Sequence, residues 1–130
     1  MDILMFLARF LFSAIFIYSG FSHLTRTPMM AQYTASKHVP AAKFFVIITG
    51  IMILFGGLSI LLGAYVKIGA LLIVIFLVPV ALIMHNFWAL TDPMARGNDQ
   101  AHFMKDMSLA GAAFLIWYFW NNHVPLSLAP

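Results

Sequence analysis

Apolar side chains are gathered into long runs that short polar connections separate. Three runs contain about twenty predominantly apolar residues, the length a helix needs to cross roughly 30 Å of hydrocarbon. The last run is shorter, and we extend it by letting Lys105 and Asp106 enter the membrane edge. The pattern predicts one domain over residues 1–130 with four spans. These are residues 3–23, 44–63, 68–88 and 103–120.

Composition points to the same class of protein. Hydrophobic residues make up 63% of the chain and charged residues 8%, whereas a soluble domain carries about 25% charged residues. We therefore predict an all-α fold, an integral membrane four-helix bundle whose surroundings are the lipid bilayer. The bases are scattered singly, so nucleic acid is not an expected partner. Cysteine is absent, which excludes disulfides and thiol chemistry by this chain.

The bases in the connections predict how the chain is oriented in the membrane. Residues 24–43 and 89–102 are predicted to be polar loops on one side of the membrane, opposite the termini and the turn at residues 64–67. Five bases belong to the long loops and their flanks, against two on the other side. The positive-inside rule then places the long loops in the cytoplasm and both termini outside. The five bases are Arg26, Lys37, Lys43, Arg96 and Lys105.

Small residues predict close helix contacts, because they allow backbones to approach each other. Packing inside one bundle is favoured over a seam between two copies, and a homo-oligomer stays open. The predicted packing glycines are Gly20, Gly50, Gly56, Gly57, Gly63 and Gly111.

The first span carries a polar stripe that should point away from lipid. Its residues follow helical steps of three and four: Arg9, Ser13, Phe16, Gly20 and His23. At about 1.5 Å per residue, Arg9 lies about 9 Å below the membrane edge. It either holds lipid phosphates or backbone carbonyls, or anchors a substrate, a quinone carbonyl or a partner carboxylate.

A second polar grouping is predicted at the cytoplasmic ends of the helices. With Arg9, its members are the candidate site residues: His23, His85, Asn86, Lys105 and Asp106. Asp106 could orient a histidine, so the group could relay protons, bind a polar head group or simply close the bundle. Haem ligation by two histidines is disfavoured, because nothing else marks a porphyrin pocket.

No metal site is predicted, because no two histidines are three or four residues apart. The other histidines, His38, His102 and His123, are assigned to loops or to the tail. Nucleophile elbows, phosphate-binding glycine loops and paired catalytic carboxylates are all absent from the sequence. The chain is therefore not expected to be catalytic on its own.

Several segments in order resemble the DoxX family of small membrane proteins over nearly the whole chain. They are the early Arg9 with YSGFSHL, then YTASKHVP, ILFGGLSILLG, HNFWALTDP and HFMKDMSLAGAAFL. Two positions depart from the family pattern, since Asp106 stands where asparagine is common and His38 where glycine often precedes Val-Pro.

The resemblance implies a four-helix protein of the bacterial or archaeal cytoplasmic (inner) membrane. For some relatives it also implies a link to quinone-linked sulfur oxidation or to oxidative-stress complexes. Three hypotheses follow: an accessory subunit that anchors a redox partner, a quinone-interacting oxidoreductase subunit, or a transporter of small solutes or lipids. The last is motivated by Arg9 and by Pro79 inside the third span.

Overall fold

The computed structural model describes residues 2–120, and these residues are helical with short connections. The helices are α1 (Asp2–Thr25), α2 (Thr27–Ser36), α3 (Ala42–Leu62), α4 (Val66–Met84) and α5 (Pro93–Phe119), with a short 3-10 turn at Phe87–Ala89 before α5. Three segments are long and apolar enough to cross a membrane: Asp2–Thr25, Ala42–Leu62 and Val66–Ala89. The prediction of an all-α membrane protein is confirmed. Helix α4 continues through Pro79.

A four-helix bundle is not confirmed, because the described residues form five α-helices, one more than predicted. Helix α2 lies inside the first predicted loop, with Pro28 in its opening turn. Helix α5 begins inside the second, where the Asp92 carboxylate accepts a hydrogen bond from the Ala95 amide at 2.9 Å. Pro28 and Pro93, both assigned to loops, lie in the first turns of these helices, where proline is favoured.

The observed helix boundaries bear on two other predictions, the loop histidines and the fourth span. His102, assigned to a loop, lies in α5, whereas His38 lies in the connection after α2 and His123 falls outside the described residues. The predicted span 103–120 coincides with the second half of α5 and the residue after it. Lys105 and Asp106 make this segment less apolar than the three spans above, so its crossing of the membrane stays a prediction.

The helices pack in the order α1, α3, α4, α5, each against the next, and α2 lies on α3. Buried aliphatic and small side chains fill the space between them. The core residues are Phe16, Ile53, Ile60, Val66, Ala70, Ile73, Leu77, Ala110 and Ala113. Large apolar side chains on the outside, such as Leu11 and Ile3, remain exposed as a lipid-facing surface requires.

Glycines bring the first three long helices together. A Cβ at Gly20 would lie 2.7 Å from Leu54 Cβ, and one at Gly50 would lie 2.5 Å from His23 Cβ. Real Cβ atoms do not approach so closely, so α1 and α3 could not keep this separation with any other residue there. Four of the predicted packing glycines lie at such contacts: Gly20, Gly50, Gly56 and Gly57.

The other two predicted packing glycines behave differently. Gly63 has φ 70° and ends α3, since its left-handed backbone is the conformation glycine adopts at helix C-termini. A Cβ at Gly111 would meet no atom within 4 Å, so among the described residues Gly111 makes no close contact, contrary to the prediction. The prediction also missed Gly69, where a Cβ would lie 2.7 Å from Ser59 Cβ.

Candidate functional site

The polar stripe of α1 faces the protein interior, as predicted. Its buried residues are Arg9, Ser13, Phe16 and Gly20. The Arg9 guanidinium carbon lies 5.8 Å from the centre of the Phe6 ring, a cation–π distance. Arg9 precedes His23 by 14 positions, which is about 21 Å along the helix. Arg9 is therefore separated from the polar residues at the other end of the bundle.

A cavity of about 780 Å³ opens at that other end, with walls from all five helices. Its apolar lining includes Phe16, Met30, Val46, Phe76, Leu77 and Leu109. Its polar lining includes His23, Tyr33, Lys37, Thr49, His85, Lys105 and Asp106. His85 directly follows α4, whereas Leu77 lies eight positions earlier, about 12 Å deeper. The charged side chains thus lie at one end of the cavity, and most of the residues deeper in it are apolar.

His85 stands between two carboxylates of α5. Its Nδ1 lies 3.5 Å from Asp99 Oδ1 and its Nε2 lies 3.7 Å from Asp106 Oδ2. Asp106 is 4% exposed, so its charge requires partners inside the protein. The sequence prediction that Asp106 faces a histidine matches this arrangement. Asp99, one of the two carboxylates, was not predicted.

Two lysines complete the group. Lys105 Nζ lies 3.3 Å from Asp106 Oδ1, and Lys37 Nζ lies 3.7 Å from Asp99 Oδ2. Lys37 also donates a hydrogen bond to Asn86 Oδ1 at 3.2 Å. Two ammonium groups therefore balance two carboxylates, and Lys37 connects the end of α2 to the segment after α4 and to α5. We call Lys37, His85, Asp99, Lys105 and Asp106 the charged cluster.

His102 extends the charged cluster on its exposed side. Its ring stacks on the ring of His85, with centroids 4.9 Å apart and planes 21° apart. Lys105 Nζ lies 3.5 Å from His102 Nδ1. The imidazole of His85 is thus held from three directions by side chains of α5, which fixes its orientation at the cavity wall.

His23 contributes to the same cavity by a different route. Its Nδ1 lies 3.0 Å from the Val46 carbonyl oxygen, so that nitrogen carries the hydrogen and donates it. The neutral ring then has Nε2 as its acceptor atom. Its ring meets Phe76 edge-on at 5.9 Å. His23 therefore belongs to the wall of the cavity, and its described contacts lie outside the charged cluster.

Tyr33 of α2 adds a hydroxyl to the cavity lining. Burial, and next the negative charge of Asp99, raise the pKa of its phenol above the ordinary value. The hydroxyl consequently stays protonated and can donate a hydrogen bond at neutral pH.

The structure brings together four of the six predicted site residues, His85, Asn86, Lys105 and Asp106, and places His23 in the same cavity. Sequence reasoning missed Lys37, Asp99 and His102. A signal existed for two of them, because positions 99, 102 and 106 follow helical steps once α5 is known to start at Pro93. Within residues 2–120, no group of three or more histidine or acidic side chains is arranged to hold a metal ion.

Comparisons with known proteins agree with this architecture. The DoxX family matches residues 4–86. Inner membrane protein YphA of Escherichia coli (strain K12) is 31% identical over 114 residues, which cover 88% of this chain and 81% of that protein. No solved structure matches the chain. On the strength of the family match and this relative, the protein belongs to the DoxX family.

Proposed function

We propose that the protein is a membrane subunit that binds a quinone-type lipophilic molecule in its cavity and serves a redox partner. The observation that carries this proposal is the cavity of about 780 Å³, with apolar walls and a charged cluster at one end. Small-molecule sites occupy about 300–1,000 Å³ and combine apolar walls with a few fixed polar groups. An isoprenoid or alkyl chain would lie along the walls, and the ring would meet the polar end.

The chemistry available to this chain supports a subunit rather than an independent enzyme. It contains no cysteine, and its sequence carries no nucleophile elbow or motif of paired catalytic carboxylates. Electrons would therefore come from a partner protein. The charged cluster supplies hydrogen-bond donors for the carbonyl oxygens of a quinone ring through Lys37 and Lys105, and the Tyr33 hydroxyl in the cavity lining adds another.

No described contact specifically favours the transporter hypothesis. Of the two residues that motivated it, Arg9 does not line the cavity and lies about 9 Å along α1 from Ile15, the nearest residue of that helix that does. Pro79 lines the cavity, but α4 continues through it. A pure anchoring role, in turn, requires no cavity of this size. Binding of a ligand on behalf of a partner accounts for both the cavity and the small mass outside the membrane.

The proposal is tested by measuring decylubiquinone binding to the protein in lipid nanodiscs. Val80 lines the cavity, so Val80→Trp should fill it and weaken binding at least about tenfold, a loss of about 1.4 kcal/mol. The matched control is Leu82→Trp on the same helix, where the side chain is 50% exposed on the outside. It should bind as the native protein does.

Equal binding by the native protein and a folded Val80→Trp variant would reject the cavity as the site. Retained helical content and elution as a single species in mild detergent serve as the folding check for both variants.

We also propose that the charged cluster faces the cytoplasm and that the protein resides in the inner membrane. The excess of bases in the long connections supports this orientation, and the relative YphA is named as an inner membrane protein. Because the chain has no cysteine, Asn98→Cys introduces a single thiol near the start of α5. A membrane-impermeant maleimide should label it only in inverted vesicles; labelling in intact cells would contradict the orientation.

A further inference from the structure

We infer that Asp99 and Asp106 determine the head-group selectivity of the cavity: they neutralise its two lysines, so the site accepts neutral, hydrogen-bond-accepting head groups and rejects anionic amphiphiles. The inference rests on the proposed function in that it concerns the same cavity. It goes beyond that function by stating what determines which head group binds. This selectivity is assigned to two carboxylates rather than to the apolar walls.

The charges at the cavity end are balanced in pairs. Among the described residues lining the cavity, the lysines and acids are Lys37, Lys105 and Asp106. Asp99 joins them through Lys37, at 3.7 Å, while Lys105 and Asp106 lie 3.3 Å apart. Each ammonium group thus already has a carboxylate, and the end of the cavity carries no surplus positive charge.

Without the carboxylates, the same place would attract anions. Two lysines at the polar end of an apolar cavity would bind the anionic head group of a fatty acid or of an acidic phospholipid. Acidic phospholipids are present in the cytoplasmic leaflet around a membrane protein. With the carboxylates present, an anionic head group would enter the cavity next to Asp106, which is buried. A buried charge without its own counter-charge is strongly disfavoured.

Neutral acceptors face no such obstacle, because the lysines keep hydrogen atoms to donate. An ammonium group has three. Lys37 directs two of them toward Asn86 and Asp99. Lys105 likewise faces Asp106 and His102, which leaves one N–H on each lysine. A carbonyl oxygen can therefore be bound by a remaining N–H of either lysine without bringing charge into the cavity.

The imidazoles do not change this balance in the conditions of the test. His85 lies between the carboxylates of Asp99 and Asp106, with His102 stacked on it, and His23 and His38 also line the cavity. Binding is measured at about pH 8, above the reference value of about 6.5 for an imidazole. The lysine and aspartate side chains then set the charge of the cavity end.

The experiment compares two probes with the same alkyl chain, the anion dodecanoate and its neutral methyl ester, each titrated directly into the protein in zwitterionic nanodiscs. Comparing the ratio of the two affinities between variants cancels the partition of each probe into lipid. The native protein should bind the ester at least about tenfold more tightly than the anion. Asp106→Asn, which frees the Lys105 ammonium, should reduce this preference about tenfold or reverse it.

Two further variants separate charge balance from shape. Asp99→Asn frees Lys37 and should shift the preference in the same direction, which keeps the test available if Asp106→Asn fails to fold. The double variant Lys105→Gln/Asp106→Asn has no surplus charge and should regain the native preference. If Asp106→Asn changed the selectivity only by distorting the site locally, adding Lys105→Gln would not restore the native preference.

Equal binding of both probes by the native protein would overturn the inference, and so would folded Asp99→Asn and Asp106→Asn variants that keep the native preference. Decylubiquinone binding is measured beside the probes on the same samples. Its absence from the native protein would reject the proposed ligand while leaving the charge selectivity to stand or fall on the probe pair.

Discussion

Two regions of this bundle are built on opposite principles. Where α1, α3 and α4 pack together, glycines bring the helices so close that a Cβ would not fit at their positions, as at Gly50 and Gly56. Where α2 and α4 end beside the first half of α5, charged side chains such as Lys37 and Asp106 join the elements and line a cavity. The first region leaves no free space between its helices, whereas the second contains a cavity large enough for a ligand. The closed region therefore holds the helices together, and the open region is where we propose that a ligand is selected.

The largest effect is expected from filling the closed region. Gly50→Leu places its Cβ 2.5 Å from His23 Cβ, so α1 and α3 must separate. Overpacking of a buried contact costs about 1–3 kcal/mol, and the branched side chain puts this change at the upper end. Thermal unfolding in mild detergent should show a large loss of stability.

The control for that substitution is Gly111→Ala. A Cβ there meets no atom within 4 Å, so the protein should keep its stability or gain up to about 1 kcal/mol from helix propensity. Similar losses for the two variants would show that the closeness of α1 and α3 is not what stabilises the bundle.

The next effect is expected from Asp106→Ala. It removes the carboxylate that faces His85 Nε2 and Lys105 Nζ, and leaves the imidazole without its buried partner. Hydrogen bonds to a charged group contribute about 1.5–3 kcal/mol, and the exposure of Lys105 reduces its share, so we expect a loss of about 2 kcal/mol. Chemical denaturation in detergent measures it, and a change under about 0.5 kcal/mol would contradict the buried pairing.

A smaller effect is expected for the connection between α2 and α5. A double-mutant cycle with Lys37→Gln and Asp99→Asn should give a coupling free energy of about 0.5–1 kcal/mol, because both side chains are partly exposed. Protease sensitivity of the segment around α2 should rise in both single variants by a similar factor. Independent, additive effects would mean that Lys37 does not hold α2 in place.

The smallest effect is expected at the connection after α2. His38 has φ 63°, a left-handed backbone that costs a residue with a side chain about 1–2 kcal/mol. Glycine adopts it freely but loses more entropy on folding, so His38→Gly should stabilise the protein by at most about 1 kcal/mol. Thermal unfolding is the measurement. Destabilisation would show that the exposed imidazole makes a contact that outweighs the strain.

Hydrophobic runs were sufficient to predict the helices that form the closed region. The runs beginning at Ile3, Phe44 and Ile68 match α1, α3 and α4 within a few residues, because a membrane helix needs a length that the sequence displays directly. Small residues in those runs also indicated the close contacts. Gly111 shows the limit, since a glycine on a helix face that meets no neighbour looks the same in sequence as one that does.

The open region was predicted only in part. Asp106 was predicted to face a histidine, either His23 or His85, because all three lie near the end of an apolar run, and the structure places His85 there. Asp99 was missed because Pro93 was taken as part of a loop rather than as the first turn of α5. Lys37 could not have been placed from sequence, because its contact with Asp99 depends on how α2 folds back toward α5.

The central claim is that the cavity, and not the lipid-facing surface, binds a quinone-type molecule. Photolabelling with an azido-quinone in native-like nanodiscs, followed by peptide mass spectrometry, tests it most directly. We expect labels on cavity residues such as Met30 and Phe76. Excess decylubiquinone and the Val80→Trp substitution should both suppress this labelling. Labels concentrated in the outer groove between α1 and α3, at Tyr18 or Leu58, and insensitive to either treatment, would contradict it.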